Sequence, residues 1–320
     1  MKRHPFARLC LGFALFGLLL TGCARTPATG QAALRVAVIP VLDSLPLHVA
    51  QQMGLFEKHG VQVELIPVGS APERDQLIAS NQADGMVNEL LTTIFYNQEA
   101  VRVQAVRYAR AASPDAPLFS ILSAPGSGIE TVDQLSGVPV GISDGTVIDY
   151  LTHRLLMLEG LEPAEIATVS VPGINDRMTL LGSGQLQAAM LPEPLTSLAV
   201  RQGATVVVDD TLHPEISFSV LTFRRQVLEE NPEAVRRLLA AVEEAVAAIN
   251  ADPDGFQELL AGQKLVPEAL LEDFVLPAYV TAGVPGEEQY NDVLSWALER
   301  GLITREVPYE QSVTAEFLPE

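Results

Sequence analysis

The chain has 320 residues, 48% of them hydrophobic, which is enough to bury a sizeable core and excludes intrinsic disorder. Its 20 basic residues stand against 40 acidic ones, a formal charge of −20 that repels nucleic acid and anionic lipid head groups and suits a solubilising surface. It holds only two cysteines, Cys10 and Cys23, too few for a disulfide-built scaffold.

The first element is an export signal. Lys2, Arg3 and Arg8 form a basic start, and Leu9 to Leu20 form an apolar run of twelve residues followed by small residues and a cysteine. A bilayer-spanning helix needs about 18 apolar residues, so this run is too short to be an anchor. Leu20-Thr21-Gly22-Cys23 resembles a bacterial lipobox, and the resemblance implies a signal peptide over 1–22, with cleavage before Cys23 and lipidation of that residue. Removal of 1–22 takes Lys2, Arg3 and Arg8 but no acidic residue, so the mature chain falls from −20 to −23. Cys10 leaves with the signal and Cys23 takes the lipid. The mature domain then has no thiol for a disulfide or a metal site, and its stability must come from its core. Residues 23–33, rich in Thr, Ala, Pro and Gly without hydrophobic period, read as a flexible tether.

Order begins at Leu34. Leu34 to Ile39 is a buried-strand pattern, Leu47 to His59 has helical spacing with Gly60 as its C-cap, and Val61 to Ile66 alternates as a second strand. Ser70-Ala71-Pro72-Glu73 has capping-box spacing for a helix to about Asn81, and Ala83 to Asn88 is a third strand. Strand, helix, strand, helix, strand predicts parallel pairing with right-handed crossovers in an α/β sheet. The same grammar returns in Val138 to Ile142, a helix over 146–159, a strand over 167–171, a helix from Asp176, a strand over 186–190, a helix over 194–202 and a strand over 204–208. Beyond it, 232–250, 253–261, 267–276 and 286–301 read as amphipathic helices.

Extended crossings near Leu118 to Ser123 and Val220 to Phe223 divide the mature chain into lobe 1 (34–120 and 221–320) and lobe 2 (121–220). Ligands of open α/β sheets sit beyond the carboxyl ends of the strands. That rule places Leu42, Asp43, Ser44, Ser70, Asn88, Glu89, Ser143, Asp144, Gly145, Thr146, Asn175 and Glu193 around one crevice, which hinge crossings would close on a small molecule.

Three stretches carry a family resemblance: Leu34 to Pro40, Val49 to Glu64 with its Gln-Gln-Met-Gly-Leu-Phe-Glu-Lys-His-Gly core, and Gln82-Ala83-Asp84-Gly85. They resemble type II substrate-binding proteins of ABC importers, in the branch containing the thiamine-pyrimidine, riboflavin, sulfonate, taurine and nitrate binders. Val132 to Ile142 looks like that family's entry to lobe 2, and Leu191-Pro192-Glu193-Pro194 like its acidic-proline signature. The resemblance implies a two-lobed type II periplasmic-binding-protein fold, each lobe a mostly parallel sheet flanked by helices, with a helical C-terminal region. It also implies a lipid-anchored monomer on the extracytoplasmic side, with an ABC permease and its ATPase as partners.

The cargo is argued from the loops. Ser143-Asp144-Gly145-Thr146 opens a helix after a strand, where backbone N–H groups bind anions, although Ser143 or Asp144 also suits a plain helix cap. Asp43, Glu89, Asp149 and Glu193 fall near strand ends, and four carboxylates disfavour an anion while accepting hydrogen bonds from hydroxyls or ring N–H groups. Arg74, Arg107 and Arg177 cut the other way, because any of them turned inward would pair with an acid or an anion. Tyr108 is the best stacking candidate, ahead of Phe119, Tyr150 and Phe95, while Trp296 reads as packing. The balance favours a riboflavin or thiamine-pyrimidine type of heterocycle over a sulfonate, taurine or nitrate.

One relative of the branch is a pyrimidine synthase that uses a histidine and a lysine-bound cofactor. Here the mature lysines, Lys58 and Lys264, are not placed for a Schiff base, and His48, His59, His153 and His213 are scattered. With no His-Glu-x-x-His, no Gly-x-Ser-x-Gly and no cysteine ligand, the expectation is a binder without cofactor or metal.

Overall fold

The computed structural model describes residues 33–319. The signal, Cys23 and nearly all of the tether lie outside them. Ten strands run in chain order as β1 (Leu34–Val38), β2 (Val63–Pro67), β3 (Gly85–Asn88), β4 (Val103–Ala111), β5 (Phe119–Ser123), β6 (Val140–Ile142), β7 (Thr168–Ser170), β8 (Ala188–Pro192), β9 (Thr205–Asp209) and β10 (Phe218–Arg224). They form two five-stranded sheets, ordered β2-β1-β3-β10-β4 and β7-β6-β8-β5-β9.

Each sheet is mixed. In the first, β1 pairs parallel with β2 and β3, while β10 is antiparallel to β3 and β4. In the second, β6 is parallel to β7 and β8, while β5 is antiparallel to β8 and β9. The inserted strand of each sheet is the one that arrives from the other. The stretches near Leu118 to Ser123 and Val220 to Phe223, expected as crossings, therefore fall on the central strands β5 and β10, and the chain passes between sheets in 112–118 and 210–217. Central position on a sheet covered by helices explains their apolar runs: four of the five residues in β5 and six of the seven in β10 are buried.

Local chemistry explains most other departures. The single helix expected over 47–59 is two, Leu45–Gln52 and Leu55–Lys58, because Gly54 between them takes φ +67°, a left-handed turn open to glycine. The helix expected over 267–276 is only a 3-10 turn at Glu268–Leu270. Residues 253–261 likewise split into a 3-10 turn, Pro253–Phe256, and a helix, Gln257–Gly262. Helices Leu90–Asn97 and Arg225–Glu230 were not expected.

Two large cores hold the molecule. Helix Pro232–Ala251 buries Val235, Leu238, Leu239, Val242, Val246 and Ile249 against β1, β10 and Leu45–Gln52. The second core joins Ala105 and Val220 of the first sheet to Ile121 and Val140 of the second, and helix Glu287–Glu299 shares that core. No helix among the described residues is long and apolar enough to cross a membrane.

Candidate ligand-binding cleft

Strand directions decide where the loops meet. β1 to β4 point the same way, so the loops at 39–44, 68–70 and 89 and the start of the 112–118 crossing share one edge of the first sheet. At the second sheet, Phe119 at the start of β5 lies opposite Pro192 at the end of β8, and Asp209 at the end of β9 lies opposite Ser120. Both crossings therefore leave from, and arrive at, carboxyl edges. The crossings 112–118 and 210–217 thus join the carboxyl edge of one sheet to that of the other, and the space between those edges is the candidate cleft.

Asp210 clasps these two crossings. Its carboxylate accepts the N–H of Leu118 at 2.9 Å and of Phe119 at 3.0 Å, and it accepts the Ser217 hydroxyl. Full burial pushes its carboxyl up to about 6 despite those bonds. Gln289 adds a second tie: it accepts from the Tyr108 hydroxyl at 2.6 Å and donates to the Glu215 carbonyl at 2.8 Å.

Many of the expected lobe 1 site residues hold the fold. Leu42 is fully buried, and its carbonyl accepts the Tyr279 hydroxyl at 2.6 Å. Ser44 is buried and donates back to the Val41 carbonyl at 2.8 Å, closing its own turn. Ser70 caps helix Ala71–Ala79 by accepting from the Glu73 N–H at 3.3 Å. Asn88, 1% exposed, is saturated by Thr93, Thr222 and the Glu89 carbonyl. Glu89 pairs with Arg74 at 3.2 Å and accepts from Thr92 at 2.8 Å. Asp43 stays half-buried at the edge and accepts the Ser219 hydroxyl. Beneath it lies a cavity of about 10 Å³, bounded by Leu47, Arg107, Tyr108 and Val242, with space for no more than one water.

The expected stacking platform is already engaged. The Tyr108 ring meets Phe218 edge-on at 5.5 Å, and burial raises its hydroxyl above the ordinary value. The Tyr150 hydroxyl bonds Asp292, and burial with that neighbouring carboxylate raises it further.

In lobe 2, Thr146 caps helix Val147–Leu158, accepting from the Ile148 N–H at 3.2 Å and donating to the Ser143 carbonyl at 2.7 Å. Gly145, at φ +65°, donates its N–H to the Asp149 carboxylate at 3.0 Å. The helix start where an anion was considered thus already receives one from the chain itself. Burial alone would raise the Asp149 carboxyl; contact with His153 and the Gly145 N–H outweigh it and hold the group below its ordinary value. Asp144 and Asn175 are exposed at the rim. Glu193 accepts the Ser197 hydroxyl at 2.8 Å, and burial raises its carboxyl despite that bond and the nearby Arg110 charge.

All three arginines weighed from the sequence turned inward. Arg74 pairs with Asp75 and Glu89, and Arg107 with Glu243 of helix Pro232–Ala251. Arg177 donates only to the carbonyls of Val171, Pro172 and Met190, and burial without a carboxylate brings it down to about 10. Sequence reasoning missed Arg110, Asp210 and Ser219. Arg110 is recognisable as a carboxyl-edge residue only once β4 is seen to run to Ala111. A larger cavity, about 360 Å³ among Tyr96, Arg102, Arg224 and Glu229, lies at the opposite edge of the first sheet and is no part of the cleft.

A family model, described as the NMT1-like family, matches residues 28–261. The chain belongs to the NMT1-like family. Among curated relatives, a protein of Brucella abortus named as a binding protein is 24% identical over 228 residues, 70% of this chain and 69% of its own. The 4-amino-5-hydroxymethyl-2-methylpyrimidine phosphate synthase of Saccharomyces cerevisiae is 24% identical over 232 residues, 67% of this chain and 65% of the synthase. Among solved structures, the periplasmic aliphatic sulphonate-binding protein of Escherichia coli superposes with a TM-score of 0.74 at 21% identity, covering 88% of this chain and 97% of that one. At that identity the likeness establishes the fold, a two-lobed periplasmic-binding-protein architecture.

Proposed function

We propose that this NMT1-like protein is the solute-binding component of an ABC import system, which captures one small solute between its sheets and hands it to a permease and its ATPase. The observation that supports this reading is that two crossings join the carboxyl edge of one sheet to that of the other, an arrangement that would act as a hinge about one cleft. Support comes from the binding-protein relative in Brucella and the sulphonate-binding protein of like fold. A lipid on Cys23 would keep the receptor within reach of its permease.

The synthase relative names the competing reading, an enzyme. Binding is favoured because the cleft-edge acids and hydroxyls are tied into the fold, and Lys58, one of the two mature lysines, is paired with Glu244 on the far side of helix Pro232–Ala251. The test is a panel of small solutes offered to the purified mature chain. One solute should raise the melting temperature, shrink the radius of gyration and be recovered unchanged; at 100 times its Kd it adds about 2.7 kcal/mol. Conversion of the solute to a product would overturn the reading. In cells, Cys23→Ser should move the protein from the membrane to the soluble fraction.

A further inference from the structure

The expectation of an uncharged heterocycle rested on four free carboxylates, and their partners change that balance. Glu89 is neutralised by Arg74, and Asp149 serves its own helix start and His153. One cation at the cleft edge has no such partner. Arg110 is 3% exposed, and among the described residues its side chain makes no hydrogen bond and no ion pair. A buried charge without a partner is disfavoured by several kcal/mol, so an unpaired one needs a reason.

Three placements give the reason. Arg110 lies one residue from the end of β4, at the carboxyl edge. Its cross-strand partner is Ser219, and directly paired residues project from the same face of a sheet, so Arg110 shares a face with Ser219 and with Asp43, which Ser219 holds. Glu193, from the opposite sheet, lies close enough to feel its charge. The guanidinium is also not sealed in: the fully enclosed side-chain nitrogens without partners belong to Arg177 and Trp296.

We propose that Arg110 is the specificity-determining residue of the cleft, pairing with an anionic group of the solute while Asp43 and Glu193 accept hydrogen bonds from its neighbouring N–H or O–H groups. This rests on the solute-capture reading. Carboxylate, sulfonate and phosphate share the chemistry, because each offers two oxygens to the planar guanidinium fork.

The test uses benzoate, benzenesulfonate and phenyl phosphate as anionic probes and benzamide as the neutral one, with binding followed by ligand-detected NMR and closure by small-angle scattering. At least one anion should bind the wild type tenfold or more tightly than benzamide, and the anion that does so identifies the group. Arg110→Gln should erase that preference and Arg110→Lys keep part of it. Neither variant should melt appreciably below wild type, since no side-chain hydrogen bond is lost, and Arg110→Gln, which removes an unpaired buried charge, should melt at or above it. A lowered melting temperature with the anion preference intact would assign Arg110 a purely structural role and overturn the proposal. Equal binding of benzamide by the wild type, with closure, would overturn the anchor and leave the cleft standing. If no probe binds and nothing closes, the solute-capture reading fails and Arg110 with it.

Discussion

Asp210 shows what one side chain does at a hinge. It is fully buried, accepts two N–H groups from one crossing and a hydroxyl from the other, and its carboxyl is raised to about 6 from the ordinary 3.8 of an aspartate. Between those two values the folded protein retains a proton that the unfolded chain has released. Stability from this group therefore falls as pH rises through that window and levels off above about 6, by up to about 3 kcal/mol. Urea unfolding from pH 4 to 7 should show this slope in the wild type and not in Asp210→Asn, which cannot titrate; parallel pH profiles would discard the raised pKa. The substitution should also weaken the clasp by about 1–3 kcal/mol at neutral pH, because an amide has one acceptor oxygen for three donors. Little in the sequence around Asp210 announces this role, since its two backbone donors lie 91 and 92 residues away and only Ser217 is near in the chain.

At the level of elements, helix Glu287–Glu299 was legible from its spacing, and its surroundings were not. Trp296 is buried against the Tyr150 ring at 5.5 Å and the His153 ring at 6.1 Å. His153 Nδ1 lies 3.0 Å from the Asp149 carboxylate, which holds the Gly145 N–H, so the C-terminal helix backs the cleft loop 143–146 from behind. Trp296→Ala should cost about 3–5 kcal/mol in denaturant unfolding, and a loss under 1 kcal/mol would show that the contact is loose. Thr146→Ala removes the cap of helix Val147–Leu158 and should cost about 1 kcal/mol. Strand and helix positions along 34–88 and 138–209 were readable because period and capping are local signals. β5 and β10 read as crossings because a central antiparallel strand and a buried connection share the same apolar run.

On the scale of the whole molecule, charge is the sequence's broadest statement. With a formal charge of −20, surface repulsion works against the compact state, and salt screens it over about 8–10 Å at physiological ionic strength. Raising sodium chloride from 10 to 150 mM should therefore raise the melting temperature; a flat or falling response would mean that the surface ion pairs offset the repulsion.

The sequence by itself determined the α/β elements and the identity of most loops at the carboxyl edges, because hydrophobic period, glycine turns and capping residues act within a few positions. It also carried the family resemblance that the family model bears out. Only the tertiary structure decided the mixed sheets, the true crossings and the partner of each charged side chain. Pairing follows distance in space, and Arg74 finding Glu89, Arg107 finding Glu243 and Arg110 finding neither is settled only when strands far apart in the chain come side by side.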